Sequence, residues 1–333
     1  MDQIHLSLRQ NFFKIEKKKM IRRFCGKEPQ ALCISLLLCF TISCSRQEAP
    51  ASSLPLIAVS IPPHAWFVSR VAGENVRVTI LAEPGQNPHN YELGPRRMRS
   101  LGEAKAWILS GAEFEISLRP KIASVFTGLR IIDGTEGVEF RALEEHDEDA
   151  ALHDHSLVEA ELVSAAELAP AIDRHTWLGL KPAKILGAHI RDAVSQIDPA
   201  NAAYYNLNYN ELVSEIEGEF VRLRLELAPL KGRSVFVYHP SFGYFLDEFG
   251  IIQEAVETGG KEPGPRELNQ LIEKIRKERA AAIFVQAQFP VSAAGTVAAA
   301  TGAELISMDP LAADWLANIR LMGEALKRAV PAQ

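Results

Sequence analysis

The sequence predicts an α/β protein of two lobes, each built on a mostly parallel sheet, joined by one long rigid helix. Short apolar segments alternate with helical segments in both halves of the 333 residues, a pattern typical of parallel strands with helical crossovers. A long helical stretch without internal proline separates the halves. With 47% hydrophobic and 23% charged residues, the chain has enough apolar material for two lobes.

The N-terminal lobe is predicted to span residues 56–198. Its expected strands cover residues 56–60, 76–82, 106–110 and 129–133, and its expected helices cover residues 65–72, 96–105 and 182–197. The last helix begins at Pro182, because proline is favoured in a first helical turn. Residues 144–156 contain almost no apolar side chains, so we expect an acidic, histidine-containing surface loop there.

The linking helix is assigned to residues 199–229, and the C-terminal lobe to residues 230–330. Between Pro199 and Pro229 there is no proline and a single glycine, Gly218. A helix of this length extends over roughly 45 Å, which is longer than one lobe needs. Expected strands of the second lobe cover residues 234–238, 251–256, 281–286 and 304–308, and expected helices cover residues 242–249, 265–279, 292–301 and 314–330.

Residues 1–43 have the features of a signal peptide. A basic stretch precedes an apolar run over residues 31–42 that is too short to span a bilayer of about 30 Å. Translation from Met20 would also give a normal basic leader, so the true start is open between Met1 and Met20. All four cysteines lie within the first 44 residues, so the rest of the chain forms no internal disulfide.

The sequence Thr41-Ile42-Ser43-Cys44 resembles a bacterial lipobox, although the first of these positions is usually leucine. The resemblance implies that Cys44 is lipidated and becomes the mature N-terminus. We expect residues 44–55 to form a polar tether. The body would then lie outside the cytoplasm, in the periplasm or on the outer face of the cytoplasmic membrane. Cleavage without lipid attachment is the alternative.

The uneven charge of the chain argues against one class of partner. Residues 1–43 carry eight Lys/Arg and three Asp/Glu, so with −6 for the whole sequence the remainder carries about −11. A nucleic-acid partner needs a cationic face, which so acidic a body does not favour. The acidic body suits a protein that meets cations instead.

Three side chains able to bind a metal follow predicted strands. His89 lies in the turn after the second strand, His239 follows the first strand of the C-terminal lobe, and Asp309 follows the last strand; each is next to a proline. Ligands of open parallel sheets bind at the carboxyl ends of strands. A fourth candidate is His175, just ahead of the helix at Pro182. Such donors can complete a tetrahedral Zn²⁺ shell, and two from each half place the ion in the cleft between the lobes.

Four dispersed segments resemble the ligand motifs of one protein family. They are Pro-Gly-Gln-Asn-Pro-His-Asn-Tyr-Glu at 84–92, His-Thr-Trp-Leu at 175–178, Tyr-His-Pro-Ser-Phe-Gly-Tyr-Phe at 238–245 and Met-Asp-Pro-Leu at 308–311. In their order and spacing they resemble the metal-binding solute receptors of ABC importers, the TroA/ZnuA-like cluster A-I family.

This resemblance implies a high-affinity receptor that delivers its metal to the membrane permease of an ABC importer and acts as a monomer. Because the long helix resists wide hinge closure, we expect the receptor to move little on binding. It also implies that His89, His175, His239 and Asp309 are the ligands. Relatives usually have Asp-Pro-His at the second motif, whereas Arg174 replaces the proline here, so that this turn is less constrained.

Zinc is the expected cargo of the site. Manganese receptors of the family tend to carry a carboxylate in place of the third histidine. His239 keeps three imidazoles here, and nitrogen donors favour Zn²⁺ over Mn²⁺. A receptor of the same family for Mn²⁺ or Fe²⁺ is the alternative.

Four further histidines are candidates for auxiliary metal contacts. His64 follows the first strand near the expected mouth of the cleft, although a role other than ligand is the favoured interpretation. His146, His153 and His155 lie in the acidic loop, where zinc-specific relatives often carry a longer, histidine-richer loop. A solvated charged loop and low-affinity zinc collection are equally open interpretations.

A zinc hydrolase is the enzyme alternative. Three histidines with an open fourth position can lower the pKa of zinc-bound water to about 7. Here Asp309 is a candidate for that position, and the sequence has no His-Glu-x-x-His motif. We therefore do not expect an enzyme.

Overall fold

The structure is a computed structural model that describes residues 54–143, 172–257, 264–289 and 292–329. It contains two α/β lobes, as predicted. In the N-terminal lobe the strands are β1 (Leu56–Val59), β2 (Arg77–Ile80), β3 (Ala106–Leu109) and β4 (Arg130–Asp133), and the helices are α1 (Pro62–Ala72), α2 (Pro95–Glu103), α3 (Glu113–Val125) and α4 (Leu180–Ile197). The long helix α5 (Ala202–Glu226) follows. In the C-terminal lobe the strands are β5 (Ser234–Val237), β6 (Ile252–Ala255), β7 (Ala282–Val285) and β8 (Glu304–Ser307), and the helices are α6 (Gly243–Asp247), α7 (Pro265–Glu278), α8 (Ser292–Thr301) and α9 (Trp315–Ala329).

The two sheets have equivalent strand orders, β2-β1-β3-β4 and β6-β5-β7-β8. All the pairings between these strands are parallel. In each sheet the winding reverses beside the first strand of the lobe, between β1 and β3 or between β5 and β7. Open parallel sheets form a ligand crevice at such a switch point, outside the carboxyl ends of the strands.

The inner strands β1, β3, β5 and β7 are buried along almost their whole length, because these parts of the two sheets are covered on both sides. In β3, Ala106 and Ile108 join a large core that runs through both lobes, whereas Trp107 and Leu109 join a smaller core on the other face of the sheet. Strands buried in this way form continuous apolar runs instead of alternating ones. The large core is contiguous from one lobe to the other.

Helix α5 links the lobes. Its buried residues recur every three to four positions, or every seven, and so form one face. They include Tyr205, Leu212, Ile216, Phe220 and Leu223. The helix packs against α1 and α4 of the N-terminal lobe and against α9 of the C-terminal lobe. Its 25 residues extend over roughly 37 Å. Neither α5 nor another helix in the described ranges is long and apolar enough to cross a membrane.

Several helix bounds differ from the prediction; α4, for example, begins at Leu180 instead of Pro182. Two of the differences have clear physical reasons. Helix α3 was not predicted, because Pro120 lies inside it and proline normally interrupts a helix. The helix forms nevertheless, with Phe114 and Ile122 buried against the first sheet. Helix α1 begins three residues earlier than predicted, since Pro62 and Pro63 occupy the first turn. Proline is tolerated there because the N–H that it lacks would have no acceptor within the helix.

Candidate metal centre

His89 is held in a turn that follows β2. The side-chain oxygen of Asn87 accepts a hydrogen bond from the backbone N–H of His89 at 2.9 Å and caps a 3₁₀ turn over Pro88–Asn90. The hydroxyl of Tyr91 donates to the carbonyl of Leu81 at 2.7 Å and ties the far end of the turn to the strand. His89 is therefore placed at the carboxyl edge of the first sheet.

His175 lies just ahead of α4 and depends on Asp173. One carboxylate oxygen of Asp173 accepts hydrogen bonds from the backbone N–H and from Nδ1 of His175, each at 2.9 Å. Burial would raise the pKa of Asp173, but hydrogen bonds from His175 and Arg141 hold it below its usual value. Asp173 is therefore a carboxylate near neutral pH, and it orients the imidazole.

His239 follows β5 and is enclosed by side chains of the segments that follow the neighbouring strands. The backbone N–H of His239 donates to Gln286 at 3.2 Å, and the Gln286 amide donates back to the His239 carbonyl at 2.7 Å. Phe289 stacks on the imidazole with ring centroids 4.3 Å apart. Burial lowers the pKa of His239 to about 4, although the contact of its Nδ1 with Glu257 acts in the opposite direction. The ring is therefore neutral near pH 7.

The three imidazoles meet through their Nε2 atoms. Nε2 of His239 lies 3.0 Å from Nε2 of His89 and 3.3 Å from Nε2 of His175. The three ligand atoms all lie within 4.8 Å of one another. Nitrogens bound to one tetrahedral Zn²⁺ at roughly 2.0–2.1 Å lie about 3.3 Å apart. The spacing of the rings therefore suits a metal shell with three histidines.

The group spans both lobes, because two of its histidines come from the N-terminal lobe and one from the C-terminal lobe. The group is partly exposed to solvent on one side. The side chains of His175 and His239 are 9% and 7% exposed, whereas that of His89 is 27% exposed. His89 therefore forms the side of the group that faces solvent.

Each imidazole has a carboxylate on its other ring nitrogen. Glu113 lies 3.1 Å from Nδ1 of His89, and Asp173 and Glu257 occupy the same position on the other two rings. An imidazole that donates its Nδ1 proton to a carboxylate presents a lone pair on Nε2. Three such lone pairs that point at one place repel one another unless a cation lies between them. The arrangement is therefore chemically suited to a metal ion.

The sequence prediction missed all three of these carboxylates. Glu257 lies two residues after β6, so the strand-end rule that identified His239 could also have identified it. Glu113 is the first residue of α3, the helix that was not predicted because it contains Pro120. Burial would raise the pKa of Glu113, but the hydrogen bond and charge of His89 lower it to about 2.

Asp309 follows β8 but lies apart from the three histidines. Its carboxylate is not a member of the group whose ligand atoms lie within 4.8 Å of one another. Its Oδ1 accepts hydrogen bonds from the side-chain amide of Gln288 at 2.8 Å and from the backbone N–H of Leu311 at 2.9 Å. Its role as fourth ligand stays a prediction.

His64 in α1 is also outside this group. It is buried, and neither ring nitrogen has a hydrogen-bond partner among the described residues. The edge of its ring meets Trp177 at 6.3 Å between centroids, and burial lowers its pKa to about 3. These are the surroundings of a neutral imidazole. The remaining candidates lie outside the described residues, so their roles stay predictions; they are His146, His153, His155 and Cys44.

Comparison with known proteins matches most of the chain to one family. The family model described as zinc-uptake complex component A, periplasmic (ZnuA), matches residues 57–329. The high-affinity zinc uptake system protein ZnuA of Brucella abortus is 26% identical over 305 residues, which cover 83% of this chain and 91% of that protein. The zinc-binding lipoprotein AdcA of Streptococcus pneumoniae is 23% identical over 287 residues, covering 86% of this chain and 55% of AdcA. A crystal structure of ZnuA superposes with a TM-score of 0.72 at 29% identity, covering 83% of this chain and 99% of that one.

Proposed function

The chain belongs to the family of periplasmic zinc-uptake complex component A proteins, and from this we propose that it is an extracytoplasmic receptor that binds Zn²⁺ with high affinity and delivers it to an ABC importer. Zinc is the cargo of this protein and not a resident cofactor. One observation carries the proposal: Nε2 of His239 lies 3.0 Å from Nε2 of His89 and 3.3 Å from Nε2 of His175, and each of the three imidazoles has a carboxylate at its Nδ1.

The donor set supports zinc over manganese or iron. Three imidazole nitrogens in a compact group suit tetrahedral Zn²⁺, whereas Mn²⁺ prefers oxygen donors. Among the four predicted ligands only Asp309 offers oxygen. A receptor for Mn²⁺ or Fe²⁺ is the alternative, and it would need that carboxylate in the shell.

We propose His89, His175, His239 and Asp309 as the zinc ligands. Asp309 would join the shell through its other oxygen, Oδ2, after a small movement of the loop that follows β8, while Gln288 keeps Oδ1 in place. Hydrogen bonds of this kind to a ligating carboxylate are common in metal sites. A water molecule as fourth ligand is the competing arrangement, and Asp309→Asn separates the two, because it weakens zinc binding at least about tenfold only if the carboxylate is a ligand.

The site supports a carrier and not a hydrolase. A zinc hydrolase needs a general base directed at the zinc-bound water. The three carboxylates beside this site, those of Glu113, Asp173 and Glu257, each contact the Nδ1 atom of one histidine instead.

We propose that the mature chain begins at a lipidated Cys44, that residues 44–55 are its tether, and that the receptor acts as a monomer beside its permease. The relative AdcA is described as a lipoprotein. The lobes would be residues 56–198 and 230–330 around the linking helix 199–229. A Cys44→Ala variant should not incorporate labelled fatty acid in cells, and continued labelling would refute Cys44 as the attachment point.

Zinc binding is tested on the full chain after the metal has been removed with a chelator. Titration with Zn²⁺ and Mn²⁺ against a competing chromophoric chelator should show one tight site that prefers zinc. His175→Ala and His239→Ala should abolish it. His189→Ala is the matched control, because Nε2 of His189 contacts the carbonyl of Glu136 and the residue lies outside the group of three histidines. A wild-type chain without a tight zinc site would overturn the proposed function.

A further inference from the structure

The segment that carries His175, residues 173–180, belongs to the N-terminal lobe in sequence but contacts the C-terminal lobe on two sides. On the first side the hydroxyl of Tyr244 donates to the carbonyl of Asp173 at 3.0 Å and accepts from the backbone N–H of Arg141 at 3.1 Å. Tyr244 lies in α6, five residues after His239. Helix α6, which follows His239, therefore holds Asp173, the residue that orients His175.

Arg141 extends this contact through its side chain. Its guanidinium donates to Asp173 at 2.9 Å and to Asp247 of α6 at 2.9 Å. The guanidinium fits against α6 because Gly243 has no side chain: a Cβ there would lie 1.7 Å from Arg141 Nη1 and 2.9 Å from Asp173 Oδ2. The carboxylate of Asp173 thus holds His175 through one oxygen, and through the other it binds Arg141, which in turn pairs with Asp247 of the C-terminal lobe.

The C-terminal lobe also caps α4. A carboxylate oxygen of Glu248 accepts a hydrogen bond from the backbone N–H of Leu180, the first residue of that helix, at 3.2 Å. The first four N–H groups of a helix have no acceptor within it, so a partner from outside stabilises this end. The segment after His175 is therefore completed by a side chain of the opposite lobe.

A pair of tryptophans makes the contact on the second side. The indole N–H of Trp177 donates to the carbonyl of Pro310 at 2.8 Å, and the indole N–H of Trp315 donates to the carbonyl of Trp177 at 2.7 Å. Both bonds are buried, and both join the segment to the C-terminal lobe. Buried hydrogen bonds are costly to break, because the polar groups are then left without partners.

His89 is held differently from His175. Its backbone bonds to Asn87 and its Nδ1 lies near Glu113, both of which belong to its own lobe. Its side chain is 27% exposed, against 9% for His175.

We propose that the C-terminal lobe fixes residues 173–180 through these contacts, so that His175 and His239 form a preformed pair before a metal ion arrives and His89 completes the site afterwards. Arg141 and Tyr244 are positioning residues in this scheme. The proposal rests on the proposed function for the identity of the ion, but the fixed pair itself is a property of the metal-free protein.

Residue-resolved amide hydrogen exchange on the full chain, with and without zinc, tests the order of events. The amides of Arg141 and Leu180 donate to side chains of the C-terminal lobe, so their exchange rates should agree within about threefold in the two states. The amide of His89 should exchange at least about tenfold more slowly with zinc bound. Amides of Arg141 and Leu180 that become protected only with zinc would overturn the preformed pair. A His89 amide equally protected in both states would overturn its arrival last.

Tyr244→Phe removes the bridging hydroxyl and preserves the ring. It should speed the exchange of the Arg141 amide in metal-free protein and weaken zinc binding about tenfold. Asp247→Asn provides a second variant with the same expected direction. Tyr209→Phe is the matched control, because its hydroxyl donates to the Lys184 carbonyl, away from the three histidines, and it should leave both quantities unchanged.

The outcomes separate this proposal from the proposed function. If the wild-type chain binds no zinc, the proposed function fails, while the exchange rates of the metal-free protein still decide whether the pair is preformed. If zinc binds and Tyr244→Phe behaves like Tyr209→Phe, the proposed function stands and the positioning role of Tyr244 is wrong.

Discussion

At the scale of single residues, the carboxylates behind the imidazoles determine what the three histidines can bind. Glu113, Asp173 and Glu257 each hold the Nδ1 side of one ring. They fix the ring orientation, make Nε2 the better donor and place negative charge around the ion. Three carboxylates are thus placed where a cation would gain from their charge.

Replacing Glu257 by Gln should weaken zinc binding by roughly 10- to 100-fold, because His239 then loses the anionic partner of its Nδ1. Competition titration with a chromophoric chelator measures the change. Glu254→Gln is the control: Glu254 lies in β6, three residues before Glu257, but pairs with Lys274, and its loss should leave the affinity unchanged. Equal affinities of the two variants would show that Glu257 does not support the site.

The buried His64 should lower the free energy of unfolding as the solution becomes acidic. Its pKa is about 3 in the folded chain, against an ordinary value of 6.5, because the buried ring has nothing to stabilise its charge. A group with a depressed folded pKa contributes stability that is complete above pH 6.5 and declines as the pH falls towards 3. Between pH 7.5 and 4.5 this loss amounts to about 3 kcal/mol.

His64→Leu should therefore reduce the difference between the free energies of unfolding at pH 7.5 and pH 4.5 by about 2–3 kcal/mol. Urea denaturation of zinc-free protein at both pH values measures it, and comparison with wild type cancels the titration of the other histidines. His189→Leu, a change at a half-buried site whose ring already has a hydrogen-bond partner, should keep the wild-type difference. If His64→Leu keeps it as well, His64 is not the buried neutral group described above.

At the scale of elements, the contact of α5 with α9 depends on one glycine. A Cβ at Gly323 would lie 2.4 Å from Leu223, whose side chain is fully buried and has little room to move. Gly218, in the same long helix as Leu223, has nothing within 4 Å of its missing Cβ. The two glycines therefore offer opposite tests of the packing between these helices.

Gly323→Ala should destabilise the protein by about 1–3 kcal/mol through overpacking, whereas Gly218→Ala should stabilise it by about 0.5–1 kcal/mol, since alanine favours the helix. Urea denaturation monitored by circular dichroism gives both values. Effects of the same sign would mean that the α5–α9 contact is not as close as the structure has it.

The strands and helices also show how much of the fold could be predicted from the sequence alone. The inner strands are covered on both faces and appear as continuous apolar runs, and all eight strands of the described fold were predicted near their observed positions. Helix α3 was missed because local propensity argues against Pro120 and only tertiary contacts favour the helix. His89 and His239 followed from strand ends, whereas the cross-lobe partners of His175 depend on contacts between distant segments, such as Asp173 with Tyr244, which no local pattern encodes.

At the scale of the whole molecule, the core continues from lobe to lobe and the long helix packs on both. Metal binding should therefore stabilise the two lobes together. A ligand at 1,000 times its Kd adds about 4 kcal/mol to the free energy of unfolding. Since 1 kcal/mol corresponds to roughly 2–4 °C in a domain of this size, removal of zinc should lower Tm by roughly 8–16 °C in a single transition.

Calorimetry of the full chain with excess zinc and with excess chelator measures this shift. His175→Ala should unfold at a temperature that does not respond to either addition. Two separate transitions, one for each lobe, would contradict the contiguous core, and a wild-type Tm that ignores zinc would contradict the binding site.

The absence of cysteine after Cys44 has a consequence for how the cargo is held under chemical stress. Thiolate zinc sites release their ion when peroxide or hypochlorite oxidises the sulfur. The proposed ligands here offer only nitrogen and oxygen, so the same oxidants have no sulfur to attack at this centre. A receptor of this kind can retain zinc in surroundings where thiol-based zinc proteins lose it.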